Sequence, residues 1–288
     1  MRILLFGKSG MLGSCLYENL SDHGHMVFGF TSSECDLMDK ERIKILFDEL
    51  KPDVVVNAAA YTAVDDAEKN RDLAMDINGN AVGQIAELCK IYKTVLVHFS
   101  TDYVFDGHKK IWKETDVPCP INVYGESKLL GEKLISKNMK RFYIIRTSWL
   151  FGENGKNFVD TMAVLGKEKS KVSVVNDQFG SPTYTKDLAE KVITAFIENS
   201  AHRKSALKYG IYHVTNSGTT NWSDFAASIF KILFLDTKVE EITSDRLNRI
   251  AKRPKYSTLK STKFKFEMRP WRRAVKDYLR KYFIIAPY

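Results

Sequence analysis

Two tyrosine–lysine pairs with i, i+4 spacing occur in the chain: Tyr124-Gly125-Glu126-Ser127-Lys128 and Tyr256-Ser257-Thr258-Leu259-Lys260. On a helix that spacing puts both side chains on one face. An ammonium beside a phenol favours the phenolate and lowers its pKa from about 10. A shift of about 3 units corresponds to about 4 kcal/mol of differential interaction between the two protonation states. It would bring the tyrosine into range as a proton donor or acceptor near neutral pH. The first pair starts a helical run that follows a strand ending in two hydroxyl residues, Ser100-Thr101. Ligands of open α/β sheets bind at the carboxyl edge of the strands. Chemistry is therefore assigned to Tyr124 and Lys128. Tyr256 and Lys260 lie in an irregular basic stretch and are read as structural or peripheral.

A second motif precedes this one. Gly7-Lys8-Ser9-Gly10-Met11-Leu12-Gly13 lies between a strand-like run and a helical run. Glycines there allow a tight turn and let backbone N–H groups approach a pyrophosphate at the helix N-terminus. The spacing is Gly-x-x-Gly-x-x-Gly rather than Gly-x-Gly-x-x-Gly, and no Gly-x-x-x-x-Gly-Lys-Ser/Thr is present, which disfavours a P-loop hydrolase. Gly7, Gly10, Met11, Leu12 and Gly13 are thus expected to hold a dinucleotide. The next strand ends Phe28-Gly29-Phe30-Thr31-Ser32-Ser33, with no carboxylate before Glu34. An acidic residue there would select NAD through the ribose 2′-hydroxyl. Its absence, with hydroxyls in its place, favours NADP(H). NAD(H) stays open, because no arginine is in place either. Asp36 and Leu37 are expected beside the adenine.

The elements that must position these groups follow from hydrophobic periodicity. Strands are expected at Arg2–Phe6, Met26–Phe30, Asp53–Asn57, Thr94–Phe99 and Phe142–Arg146. Helices are expected at Met11–Leu20, Lys40–Leu50, Asn80–Tyr92 and Val123–Ile135. Continuous apolar strands alternating with amphipathic helices indicate a Rossmann-type, doubly wound parallel sheet covered on both faces. After residue 150 the alternation weakens. Helices at Phe158–Leu165, Asp187–Glu198, Trp222–Leu233 and Trp271–Tyr282 are interleaved with strands at Val172–Val175 and Gly210–Val214. The expected organisation is a dinucleotide-binding domain over 1–150 and a smaller α/β substrate lobe over 151–288. Part of 170–200 is free to return to the sheet.

Length and composition bound the function. The 288 residues are 44% hydrophobic and 27% charged, an ordinary globular mix that rules out disorder as the dominant state. No run approaches the ~18 apolar residues of a spanning helix. The first residues enter a strand with no charged leader or cleavage site, so a cytoplasmic protein is expected. The four cysteines match no zinc spacing and read as free thiols in a reducing compartment; no metal site is expected. The formal charge of +9 arises in the last third. Residues 201–288 carry 19 Lys and Arg against 7 Asp and Glu. That excess suits an anionic partner. No nucleic-acid recognition module accompanies it. His98 alternates within a strand and reads as a packing residue, and Trp222 as helix-start packing.

Hydroxyls ending the fourth strand, then Tyr-x-x-x-Lys, behind an N-terminal Gly-x-x-Gly-x-x-Gly: this order resembles the extended short-chain dehydrogenase/reductase superfamily. Longer strings are similar to one family within it, dTDP-4-dehydrorhamnose reductase. They are Asn57-Ala58-Ala59-Ala60-Tyr61-Thr62-Ala63-Val64-Asp65, Ser100-Thr101-Asp102-Tyr103-Val104-Phe105-Asp106-Gly107 and Asn122-Val123-Tyr124-Gly125. Arg146-Thr147-Ser148-Trp149-Leu150-Phe151, Asn176-Asp177-Gln178-Phe179-Gly180-Ser181-Pro182-Thr183 and Arg253-Pro254 complete the likeness, which spans nearly the whole chain.

The resemblance implies reduction of the 4-ketone of dTDP-4-dehydro-L-rhamnose to dTDP-L-rhamnose by NAD(P)H, with hydride to sugar C4 and a proton from Tyr124. It implies that Lys128 lowers the phenol's pKa and bonds the nicotinamide ribose. Thr101, with Ser100 as the alternative hydroxyl, would bond the ketone oxygen. Asp102 and Trp149 would border the sugar, and Ala59, Ala60 and Tyr61 would line the cofactor. Asn78 would fill a structural or active-site place, and Arg253 would meet the substrate diphosphate. The family often has His where Tyr61 stands. A homodimer is compatible with the resemblance. Two neighbouring readings remain: a 4-ketoreductase for a different deoxysugar, and a non-catalytic NADP-binding regulatory subunit of the same fold.

Overall fold

A computed structural model describes residues 1–198, 207–263 and 267–284. Its centre is a six-stranded, wholly parallel sheet. The strands are β1 (Arg2–Phe6), β2 (Met26–Phe30), β3 (Val54–Asn57), β4 (Val95–Thr101), β5 (Phe142–Thr147) and, from late in the chain, Gly210–His213. Their spatial order begins at the Gly210–His213 strand and runs β5, β4, β3, β1, β2. Strand order reverses between β1 and β3, so the crevice at their carboxyl ends is the expected ligand position.

Both faces of the sheet are buried because successive strand side chains point to opposite sides. Ile3, Leu5, Val54, Val56, Val97 and Ile145 pack on one side with Leu12, Leu16 and Leu20 of helix α1 (Met11–Asp22). Helix Thr185–Val192 lies on the same side, adding Leu188, Ala189 and Val192. Leu4, Phe6, Val55, Leu96 and Ile144 pack on the other with Ile43, Leu46 and Phe47 of helix α2 (Lys40–Leu50) and Ile85, Ala86 and Cys89 of helix α3 (Ala81–Ile91). This is the doubly wound Rossmann-type arrangement expected from the alternation.

A smaller lobe closes over the carboxyl edge. Its core joins Phe151, Phe225, Phe230, Trp271 and Tyr278, drawn from helices Trp222–Ile232 and Trp271–Ile284 and the chain after β5. Strand Lys171–Val175 pairs in parallel with Lys238–Ile242 in this lobe. Two segments from beyond residue 150 join the main sheet and its covering layer, one of them inside the 170–200 stretch left free to return to it. Residues 210–213 complete the main sheet beside β5, and 185–192 cover its face. The chain beyond 150 therefore serves both layers. Strand Gly210–His213 is short, and periodicity cannot say which edge a short strand joins.

Candidate active site

At the carboxyl edge of the sheet a cleft of about 800 Å³ runs between the two lobes. Gly7, Ser9, Gly10, Met11 and Leu12 line one end, Ala58, Ala59 and Ala60 its middle, and Thr101, Asp102, Tyr124, Lys128 and Trp149 the far end. Helix α1 begins at the glycine loop with no side chain capping its first N–H groups, which leaves them facing the cleft for an anion. Gly13 lies outside the lining. A Cβ there would sit 1.9 Å from the Gly7 carbonyl oxygen, so its role is to let the loop close on the helix.

Helix α4 (Val123–Asn138) carries the tyrosine–lysine pair. Asn122, in extended conformation, caps it by accepting from Gly125 N–H at 2.8 Å. That cap places Tyr124 and Lys128 on the turn facing β4. Burial pushes the Tyr124 phenol up to about 12, while a hydrogen bond with Thr101 pulls it down. The expected depression by lysine is not among the causes that set this phenol's pKa. Lys128 Nζ instead donates to the Phe99 carbonyl at 2.7 Å and stands 3.4 Å from His98 Nε2. Burial lowers the lysine itself to about 8, against Glu132, which raises it.

The two hydroxyls ending β4 divide, because neighbouring strand residues face opposite ways. Ser100 Oγ donates to Glu132 Oε1 at 2.5 Å. Thr101 Oγ1 donates to Asp102 Oδ1 at 3.1 Å and accepts from Tyr103 N–H at 3.2 Å. Thr101 is thus the hydroxyl beside the phenol. Asp102 is 3% exposed, and its Oδ2 has no hydrogen-bond partner among the described residues. Burial pushes this carboxyl up to about 7, opposed by the nearby Ser257 and Thr101 hydroxyls. It can therefore donate or accept near neutral pH.

Asn78 clamps the loop after β3. It accepts from Tyr61 N–H at 2.9 Å and donates to the Tyr61 carbonyl at 3.0 Å and to Ser127 Oγ at 2.9 Å. This ties the cofactor side of the cleft to α4. The Tyr61 ring itself turns outward to Asp66 and is absent from the cleft lining, unlike Ala59 and Ala60. Leu37 is buried against Phe47 in the core, and Asp36 caps Met38 N–H at 2.9 Å. Neither lines the cleft. Arg253 is bound to Asp65 through Nη1 at 2.7 Å and Nη2 at 2.6 Å. It too lies outside the cleft lining, and an anion would have to compete with that carboxylate. Tyr256 stacks on Phe179, away from the cleft.

Of two residues that sequence reasoning left aside, Trp222 enters the cleft lining and Lys8 stands outside it. Trp222 stacks on Trp149 with ring centroids 3.6 Å apart, and both line the cleft. The pair exists only because Gly180 yields space. A Cβ there would lie 2.4 Å from the Trp149 ring. Lys8 crosses Gly29 of β2 with its stem, and Nζ sits 4.2 Å above the Tyr17 ring. Glu34 lies just past the end of β2, and its carboxyl is held low by the Thr31 hydrogen bonds first and then by the Lys8 charge. The one carboxylate there, Glu34, is occupied by the Thr31 N–H at 2.8 Å and the Thr31 hydroxyl at 2.9 Å. The signal for Lys8 was its place inside the glycine loop.

The chain is similar to known proteins along nearly its whole length. Residues 1–284 match the family model described as RmlD substrate binding domain. The chain is 41% identical over 288 residues to the dTDP-4-dehydrorhamnose reductase of Aggregatibacter actinomycetemcomitans, covering 96% of this chain and 97% of that one. It is 39% identical over 284 residues to the spore coat polysaccharide biosynthesis protein SpsK of Bacillus subtilis, covering 97% of each. Among solved structures, the dTDP-4-dehydrorhamnose reductase of Bacillus anthracis in complex with NADP superposes with a TM-score of 0.90 at 35% identity, covering 97% of this chain and 99% of that one.

Proposed function

The chain belongs to the dTDP-4-dehydrorhamnose reductase family, and we propose that it reduces the 4-ketone of dTDP-4-dehydro-L-rhamnose to dTDP-L-rhamnose with NADPH. The observation that carries this reading is the meeting of Thr101, Tyr124 and Lys128 at the cleft end opposite the glycine loop. The cleft fits a dinucleotide: uncapped N–H groups at one end, small Ala58–Ala60 side chains in the middle, and the proton donor at the other.

NADPH, when bound, supplies the hydride that goes to sugar C4. The chain's own residues handle the rest. Thr101 bonds the ketone oxygen, and that bond strengthens as negative charge develops. Tyr124 gives its proton to the same oxygen, so the carbonyl becomes a hydroxyl and the phenol a phenolate. A phenol kept high by burial arrives fully protonated, as a donor must. Lys128 holds the nicotinamide ribose and faces the phenol from one turn along the helix. Asp102 and the Trp149–Trp222 stack border the sugar.

The test is NADPH oxidation with dTDP-4-dehydro-L-rhamnose generated in situ, beside the corresponding UDP- and GDP-linked ketosugars. Turnover confined to the dTDP sugar is the expected result. Turnover only with another ketosugar would move the chain to a neighbouring 4-ketoreductase. Cofactor binding without turnover would favour a regulatory subunit.

Cofactor choice yields a second expected result. Lys8 brings a positive charge to the place where an acidic residue would read the ribose. A hydrogen bond to a charged group contributes about 1.5–3 kcal/mol. Lys8→Met is therefore expected to raise KM for NADPH about tenfold or more and leave KM for NADH unchanged. Equal losses for both cofactors would assign Lys8 to the loop's structure instead.

A further inference from the structure

Beneath Lys128 runs a directed chain of hydrogen bonds that the reaction above does not use. Asn57 and His98 are cross-strand neighbours on β3 and β4, so their side chains share a face. Both are buried, with 1% and 0% exposure. Ala59 N–H donates to Asn57 Oδ1 at 3.1 Å. That bond settles the amide's orientation, because a backbone N–H needs an acceptor. Asn57 Nδ2 therefore faces His98 Nδ1, at 3.2 Å, as a donor. In a neutral imidazole one nitrogen accepts and the other carries the hydrogen. With Nδ1 accepting, the hydrogen sits on Nε2, which points at Lys128 Nζ 3.4 Å away.

A neutral amine can accept that N–H through its lone pair. An ammonium has no lone pair and would meet another donor. We propose that Asn57 and His98 are positioning residues that fix an imidazole N–H against Lys128 Nζ and so favour its amine form. The lysine then gives up a proton readily in the direction of Tyr124. After Tyr124 protonates the alkoxide, an ammonium at Lys128 releases a proton to the phenolate. The amine left behind is held by His98 Nε2–H and the Phe99 carbonyl until it takes a proton from solvent.

The surrounding charges are accounted for. His98 stays neutral, since burial, and then the Lys128 charge, hold its pKa well below the ordinary value. On α4, Tyr124 lies one turn before the lysine. Glu132 lies one turn after, and its charge is matched by Arg146 of β5. Asp102 and Tyr103 follow β4. On β3 the facing residue is Asn57, which does not titrate.

The ring tautomer tests the proposal without any ligand. Long-range 15N–1H correlation on histidine-labelled protein should show His98 protonated at Nε2 and bare at Nδ1. Asn57→Asp offers an acceptor in place of the amide N–H₂. It should move the ring hydrogen to Nδ1 and turn Nε2 into an acceptor for the ammonium. In the turnover assay, the same variant should move the lysine limb of the kcat–pH profile, near the lysine's value of about 8, upward by about one pH unit, the size of one hydrogen bond. A wild-type ring protonated at Nδ1 would overturn the proposal. So would a variant whose tautomer moves while its pH profile stays in place. The catalytic part rests on the reductase reading, and the tautomer does not. Loss of turnover in the wild type with the tautomer as described would reject the reductase reading alone.

Discussion

Tyr124→Phe is expected to lower kcat by about 10²–10⁴, the usual contribution of a positioned proton donor, and to leave NADPH binding and thermal stability close to wild type. The substitution removes one oxygen and keeps the ring. Tyr124 packs edge-on against Tyr103, with centroids 5.8 Å apart at 75°, and that contact survives in phenylalanine. The phenol's hydrogen bond to Thr101 is lost, but Thr101 keeps Asp102 and the Tyr103 N–H. The loss therefore falls on the transition state. A reaction that runs through Tyr124 should lose kcat and kcat/KM together. Cofactor binding is read from quenching of protein fluorescence by NADPH. A Tyr124→Phe enzyme within threefold of wild type would remove this tyrosine from the proton-transfer step.

The second large effect concerns stability. Glu132→Gln is expected to destabilise the fold by about 3–5 kcal/mol, the typical result of breaking a buried ion pair by removing one partner. Glu132 and Arg146 are each 2% exposed. The carboxylate takes Arg146 Nε at 2.9 Å and Nη2 at 2.6 Å, and Ser100 Oγ at 2.5 Å. Arg146 also stands over the Phe105 ring at 5.1 Å, with Nη1 3.4 Å from His213 Nε2. Burial holds the pKa of that histidine low, and the Arg146 charge lowers it further. An imidazole is neutral or cationic, so it cannot replace the carboxylate in either state. With the carboxylate gone, a guanidinium remains between β5 and α4 without charge compensation. Against a total stability of about 5–15 kcal/mol, the loss should appear as a large fall in the urea midpoint at unchanged slope. Replacing both partners, Glu132→Leu with Arg146→Met, should recover most of it, because an apolar pair carries no desolvation cost. A single variant as stable as wild type would show that the pair is energetically neutral.

These two residues illustrate what was readable in advance. Tyr124 was legible because its place in the cleft follows from local spacing: four residues to Lys128 on one helix, after a strand that ends in hydroxyls. Glu132 was not. Nothing around it distinguishes a surface glutamate from the counter-ion of an arginine on the next strand. The same holds for Lys8, whose place in the glycine loop was visible but whose path across Gly29 was not. Trp222 starts a helix in sequence, and only the folded lobe brings it onto Trp149.

By itself the sequence determined the parallel sheet, the glycine loop at its carboxyl edge and the tyrosine–lysine pair, each written in periodicity or in spacing of a few residues. Strand period, helix period and an i, i+4 pair are properties of the chain at short range, and burial of both sheet faces follows from them. Tertiary structure alone decided which side chains are free to act. Ser100 is spent on Glu132, and Thr101 is left to the cleft. Arg253 is bound to Asp65, a partner 188 residues away. Tyr61 turns out to Asp66, and Asp36 and Leu37 fall outside the cleft lining. The sixth strand comes from residues 210–213 rather than from the first half. For Leu37 the deciding term is burial in the apolar core; in the other cases it is a hydrogen bond, ion pair or strand pairing. Most of these partners lie far along the chain, and all are chosen by where the backbone brings them. A buried polar group takes whichever partner the packing supplies, and that choice has no period in the sequence.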